Sequence, residues 1–227
     1  MSSWSSWFAA LPLAPSELVF LNGEKFAHDA GALSSRVKLL HIDAKVSARE
    51  LGKAILAAAV LVSEMAGNIR LAVQAKKTLF GLRTVNTLYA EVGQVAMAWP
   101  EHSLESRAGL IVRSGAVEVN NLIYALLLED VEEPWHWSVS LVEKGLAERG
   151  LLQTEETRHL KVFTTKHYTL PDSTRALASQ LSPTVVYDLL QQAQQSRPDV
   201  WKLLVEQIEK GVRRRKKAAE ADEPSSN

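Results

Sequence analysis

Within Ala44 to Met65, apolar side chains recur at Leu51, Ile55, Ala58 or Ala59, Val62 and Met65, the spacing of one helix face. Alanines between them let a neighbouring element approach closely, which predicts a central helix. Gly67-Asn68 ends it, since both residue types tolerate the left-handed backbone of a helix C-cap. Ile69 to Val73 and Thr78 to Val92 then alternate weakly and are rich in Thr, Val, Leu and Tyr, predicting two strands around a basic turn at Lys76-Lys77. Beyond Pro100, Ser103 to Val112 fits a short helix and the strongly apolar Val117 to Leu128 a second buried one.

An acidic link from Glu129 to Glu133 stops at Pro134, where Trp135-His136-Trp137 opens a helix over Ser138 to Arg149 that Gly150 closes. Leu151-Leu152, a polar turn at Thr154 to Arg158 and the run His159 to Leu170 predict a hairpin or wing packed on that helix. Pro171-Asp172-Ser173 caps a helix through Leu177 and Leu181, Pro183 restarts one to about Ser196, and Pro198-Asp199 begins the last. Trp201, Leu204, Val205, Ile208 and Val212 share a face of that last helix, whereas Ala218 to Asn227 lacks apolar anchors and is expected to be disordered. The fold class is mainly α, a helical core with a small β-hairpin or winged-helix-like element. Residues 1–16 read as an aromatic lead-in with Trp4, Trp7 and Phe8, residues 17–212 as one helical domain with a winged-helix-like part at about 135–182, and residues 213–227 as a basic, then disordered, tail.

Composition narrows the functional classes. The 227 residues are 46% hydrophobic, enough for a sizeable core, and carry 26 basic against 26 acidic side chains. With no net charge, attraction to lipid or nucleic acid must come from a local patch. The lack of cysteine excludes disulfides, thiolate metal sites and cysteine nucleophiles, and fits a reducing cytoplasm. Residues 1–20 have no basic start and no long apolar stretch, so they do not read as a signal peptide. The longest apolar run, Ala54 to Val62, is far short of the roughly 20 residues that span a bilayer.

Three groups of residues carry candidate chemistry. Lys45, Arg49 and Lys53 fall at i, i+4 and i+8 and project from one face of the central helix, either as contacts for a phosphate or as a solvated polar face. Trp135, His136 and Trp137 form either an aromatic wall beside that stripe or a core anchor at a helix start. Lys210, Arg213, Arg214, Arg215, Lys216 and Lys217 close the last helix, where one or two cations suffice to complement its dipole and the rest are free to meet anionic lipid or nucleic acid. The six histidines show no metal-ligand spacing, and no nucleophile elbow, Walker loop or dinucleotide fingerprint occurs, so no catalytic residue, cofactor or metal is assigned.

Four segments together resemble the Golgi phosphoprotein 3 family in its shorter, bacterial form. They are Glu17 to Leu21, Ala57 to Ile69, the basic hairpin around Lys76 to Leu79, and Leu146 to Leu152 leading to Phe163 to Pro171, in the family's order over roughly residues 17 to 210. The resemblance implies a mostly helical peripheral membrane protein; eukaryotic members bind phosphatidylinositol 4-phosphate in a basic pocket with a tryptophan, and a hairpin helps them assemble. The positions of that family's lipid-contacting Trp and three Arg fall here on Ser47, Leu56, His136 and Val139, which do not match. The expectation is therefore a cytoplasmic binding protein docking on anionic membrane lipid or a membrane-associated partner, without the family's phosphoinositide pocket. Two rivals remain open: a winged-helix nucleic-acid-binding regulator, and a scaffold subunit, including a homo-oligomer, that buries Trp4, Trp7 and Phe8.

Overall fold

Helix α2, Ala48–Met65, is buried on every side from Ile55 to Ser63, so it must be surrounded rather than laid on a surface. This computed structural model describes residues 12–29, 35–78, 83–95, 97–159, 163–181 and 183–222. Around α2 pack α1 (Pro15–Leu21), α3 (Leu104–Arg113), α5 (Pro134–Glu148), α7 (Pro183–Ser196) and α8 (Pro198–Asp222). Helix α4 (Val119–Leu126) lies against α8 and α3, and α6 (Asp172–Gln180) touches α1. Small antiparallel sheets complete a mainly α architecture. Gly52 allows the closest approach in this core: a Cβ there would overlap Ser138 Oγ and sit 3.1 Å from the Trp135 carbonyl oxygen, fusing α2 and α5 near their N-termini.

The central helix starts later than its periodicity predicts. Lys45–Ser47 form strand β2, paired with β1 (Arg36–Lys38) so that Lys38 faces Lys45. Buried Val46 next to exposed Lys45 gives a two-residue period, and the Ser47 hydroxyl accepts the Glu50 amide at 3.3 Å to cap the helix at Ala48. Lys45 is therefore not on the helix; only Arg49 and Lys53 of the expected stripe share its face.

Strands β3 (Ile69–Thr78) and β4 (Arg83–Val92) form a ten-residue ladder, with β5 (Val117–Glu118) added on β4. Lys76-Lys77 sits inside β3, not in a turn, and the connection at 79–82 lies outside the described residues. Residues 73–77 are exposed, so neither face of the outer hairpin shows the burial that would mark a strand. The same reason corrects the second hairpin: Thr154–Arg158, expected as a turn, belong to β6 (Gln153–His159), which pairs with β7 (Phe163–Thr169). Val117 and Glu118 likewise leave the second predicted helix to join the sheet.

Trp135, His136 and Trp137 lie in the first turn of α5 rather than before it, and Gly150 follows that helix with φ +72°. At the ends of the chain two boundaries move. Leu13 and Ala14 are fully buried and α1 begins at Pro15, so the core starts before the expected residue 17; Trp4, Trp7 and Phe8 lie outside the described residues. Helix α8 continues through residues 218–222, expected as disordered, helped by alanines of high helix propensity and the Lys216–Glu220 pair at i, i+4. Among the described residues, no helix is long and apolar enough to cross a membrane.

A buried polar knot fastens α1. Its Ser16 amide donates to Glu105 of α3 at 2.7 Å and the Ser16 hydroxyl donates to the same carboxyl at 2.8 Å. Glu17 accepts the Ala14 amide at 2.7 Å and pairs with Arg149, which also donates to the Pro12 carbonyl at 3.1 Å. These carboxyls satisfy amides that a helix N-terminus leaves without intrahelical partners.

Candidate functional site

The N-termini of α2 and α5 meet the C-terminal half of α8 at a cleft of about 720 Å³. Ser47 and Arg49 line it from the start of α2, Pro134 and Trp135 from the start of α5, and Arg213 and Lys216 from α8. Fusion of α2 and α5 at Gly52 places two positive helix ends on one side, and the 3.6-residue period of α8 aims Arg213 and Lys216 at them. Groups predicted as two separate basic patches, about 160 residues apart along the chain, are thus brought together beside one of the predicted tryptophans.

Internal acids counter these cations. Glu209 of α8 accepts from Arg49 at 2.8 Å and pairs with Lys53 at 2.9 Å, and those two cations, Lys53 first, hold its carboxyl below the usual range despite partial burial. Glu50, Glu132 and Glu133 also line the cleft, so four carboxylates face the three cations Arg49, Arg213 and Lys216. The cleft can hold an anionic group at the Arg213 and Lys216 side, while Glu209 already occupies the Arg49 side.

The aromatic triplet divides its work. Trp135 lines the cleft. His136 turns away: its Nε2 donates to the Arg36 carbonyl at 2.9 Å, and Nδ1 sits 2.7 Å from the Ser35 hydroxyl and 3.0 Å from the Glu133 carboxylate. Trp137 donates from Nε1 to the Leu127 carbonyl at 2.6 Å and packs against the core. Only Trp135 of the three is presented to a ligand here.

The basic end of α8 is similarly split. Arg215 is buried, with its guanidinium 3.6 Å over the Tyr124 ring and 2.8 Å from Asp130, so it latches the acidic link to α8. Arg214 hydrogen-bonds the Asn120 and Asn121 side chains, which hold it without cancelling its charge. Lys210, Arg213 and Lys217 are exposed with no acid in ion-pair contact among the described residues, and Lys216 has only the loose Glu220 pair at 3.8 Å. The outer face of α8 keeps a positive surface after internal pairing among the described residues.

Of the four positions aligned with the family's lipid pocket, Leu56 and Val139 are in the core and Ser47 is a helix cap. His136 is engaged by the β1 strand as described, and with Val139 it lines a second cleft. Sequence reasoning missed a second cleft on the other side of α5, lined by Arg36 and Lys38 of β1, Glu143 of α5, Lys166 of β7 and Arg175 of α6. No local spacing announces it, because each element contributes only one or two of the charges. It also missed the Glu17, Glu105 and Arg149 knot, whose members are distant in the chain. Comparison with known proteins finds no family model that matches the chain and no curated protein that resembles it.

Proposed function

We propose that this chain is a binding protein, not an enzyme, that docks peripherally on anionic membrane, in the manner of a Golgi phosphoprotein 3-like protein but without that family's pocket. The observation that carries the reading is the outer face of α8, where Arg213, Arg214 and Lys217 have no acid in ion-pair contact among the described residues and Arg213 lines the Trp135 cleft. In a molecule of zero net charge, such a local patch supplies the attraction that composition withholds. Nucleic acid fits α5 less well: as a recognition helix it offers exposed Lys144 beside exposed Glu148, and its Arg149 is spent on Glu17.

The test is sedimentation with phosphatidylcholine vesicles containing increasing phosphatidylserine. Binding is expected to rise with the anionic fraction and fall with salt. Because each basic residue near such a surface contributes about 1 kcal/mol, Arg213→Gln with Lys217→Gln is expected to weaken binding about thirty-fold. Binding that ignores lipid charge, or that survives the double substitution unchanged, rejects the proposal; a salt-sensitive shift of duplex DNA without vesicle binding would favour the nucleic-acid reading.

Glu209→Gln provides a gain-of-function check. It removes the carboxylate that holds Arg49 and Lys53, so vesicle binding is expected to tighten about five-fold, from roughly 1 kcal/mol per unit of charge. Unchanged or weaker binding would place the contact away from the cleft.

A further inference from the structure

We propose that the second cleft is a peptide groove, in which an extended acidic segment of a partner protein adds to β1 as a further strand, facing β7. The cleft, about 680 Å³, is lined by the consecutive residues 36–40 and 166–170. Side chains alternate between the two faces of a strand, so a cavity that touches every residue in a row meets the edge of that strand. Of the two small sheets it meets β1 and β7 alone, with no described residue of β2 or β6 on its wall. Each sheet therefore turns an edge without a neighbouring strand to the same space.

The phase of the β1 ladder identifies the free backbone groups. The Leu39 amide donates to the Ala44 carbonyl at 3.0 Å and the Ser35 carbonyl accepts the Ala48 amide at 3.0 Å, so residues 35 and 39 point towards β2. In an antiparallel pair alternate residues direct their amide and carbonyl to opposite sides, which turns Arg36 and Lys38 away from β2. His136 confirms that phase, since its Nε2 donates to the Arg36 carbonyl from α5. The Arg36 amide and both backbone groups of Lys38 are thus aimed into the cleft, the pattern that an incoming strand continues. Such a strand lies about 4.8 Å from β1, with α5 beneath it.

The walls select the side chains of that strand. Leu40, Tyr168 and Leu170 offer half-buried apolar surface, and Arg36, Lys38, Lys166 and Arg175 supply four cations from three elements. A strand of alternating apolar and acidic residues meets both kinds of surface at once. The cations are only loosely held: Lys38 meets Asp43 at 3.3 Å and Arg175 meets Asp172 at 3.9 Å, and both acids are almost fully exposed. Solvent screens such pairs, so little is lost when carboxylates of the peptide replace them. Glu143 is the acidic residue on the wall, and burial pushes its carboxyl up to about 7, which withdraws part of its charge at neutral pH.

The test is fluorescence anisotropy of the full chain with a fluorescein-labelled octapeptide of alternating Glu and Val. Saturable binding is expected, and a peptide of alternating Lys and Val should not bind. A peptide of alternating Glu and Pro keeps the charge but loses every second amide donor, and should bind about ten-fold more weakly or worse. Lys166→Gln with Arg175→Gln, both at exposed side chains, should weaken the Glu-Val peptide about ten-fold. Arg213→Gln with Lys217→Gln, on the separate α8 surface, should leave it unchanged. Absence of Glu-Val binding, or equal binding of the Glu-Val and Glu-Pro peptides, overturns the proposal. So does loss of the peptide in the α8 variant alone. A Lys166 and Arg175 variant that loses vesicle binding but keeps the peptide would assign the cleft to a membrane instead.

Discussion

Replacing Arg149 by leucine is expected to lower stability at pH 8 by about 3 to 5 kcal/mol, the range for removing one partner of a buried ion pair. Arg149 is the guanidinium partner of Glu17, whose side chain is 1% exposed, and it also holds the Pro12 carbonyl. Without it the Glu17 carboxylate keeps only the Ala14 amide, with the Glu105 carboxyl close by. In a protein of this size the loss corresponds to a fall in melting temperature of roughly 10 °C. Burial already raises the Glu17 carboxyl, so protonation rescues the variant and the deficit should shrink at pH 5. Adding Glu17→Leu should recover much of the stability, since an apolar pair of similar bulk leaves no buried charge. Denaturant unfolding of the two variants at both pH values checks this. Equal losses at pH 5 and 8, or no recovery in the double variant, would mean that Arg149 matters only through packing.

Glu105→Gln is expected to remove at most about half of a pH dependence of stability that the native protein shows between pH 4.5 and 7, because burial raises the Glu143 carboxyl to about 7 as well. Glu105 is fully buried, and desolvation, with the nearby Glu17 charge adding to it against the Ser16 hydrogen bonds, pushes its carboxyl from 4.5 to about 7. The folded state thus binds a proton more tightly than the unfolded chain. Its contribution is fully present below the unfolded value and is lost as pH rises through the folded value, a total of about 3 kcal/mol over that window. The glutamine side chain still accepts the Ser16 amide but cannot ionise, so the variant should be the more stable protein at pH 8 and have a flatter profile. A native profile that rises between pH 5 and 7, or a variant with the same slope, would show that Glu105 is ionised throughout.

Both effects arise from α1, whose seven residues are all buried and whose amides are held by carboxyls from α1 itself and from α3. The segment Glu17 to Leu21 entered the sequence reading only as part of the family resemblance, and nothing near Glu17 in the chain indicates that it will be buried beside Glu105. Burial of that one glutamate depends on residues 88 and 132 positions away, which a local pattern does not contain.

The order of residues alone determined the helical class, the burial of α2, and the restarts of α7 and α8 at Pro183 and Pro198, because periodicity, caps and prolines act within one or two turns. It misplaced the hairpin turns and the start of α2 where exposed strands or a three-residue strand left too little alternation to see. It also set Trp135 beside the Arg49 stripe as one of two readings, and identified Arg213 as a free cation without joining it to them. Only the tertiary structure decided that they share a cleft, that Glu209 neutralises Arg49 and Lys53, that Arg215 is buried, and that four further cations gather around Glu143. The reason is physical: helix formation follows from neighbours along the chain, whereas the free charge of a surface follows from which distant acids folding brings within a few ångströms.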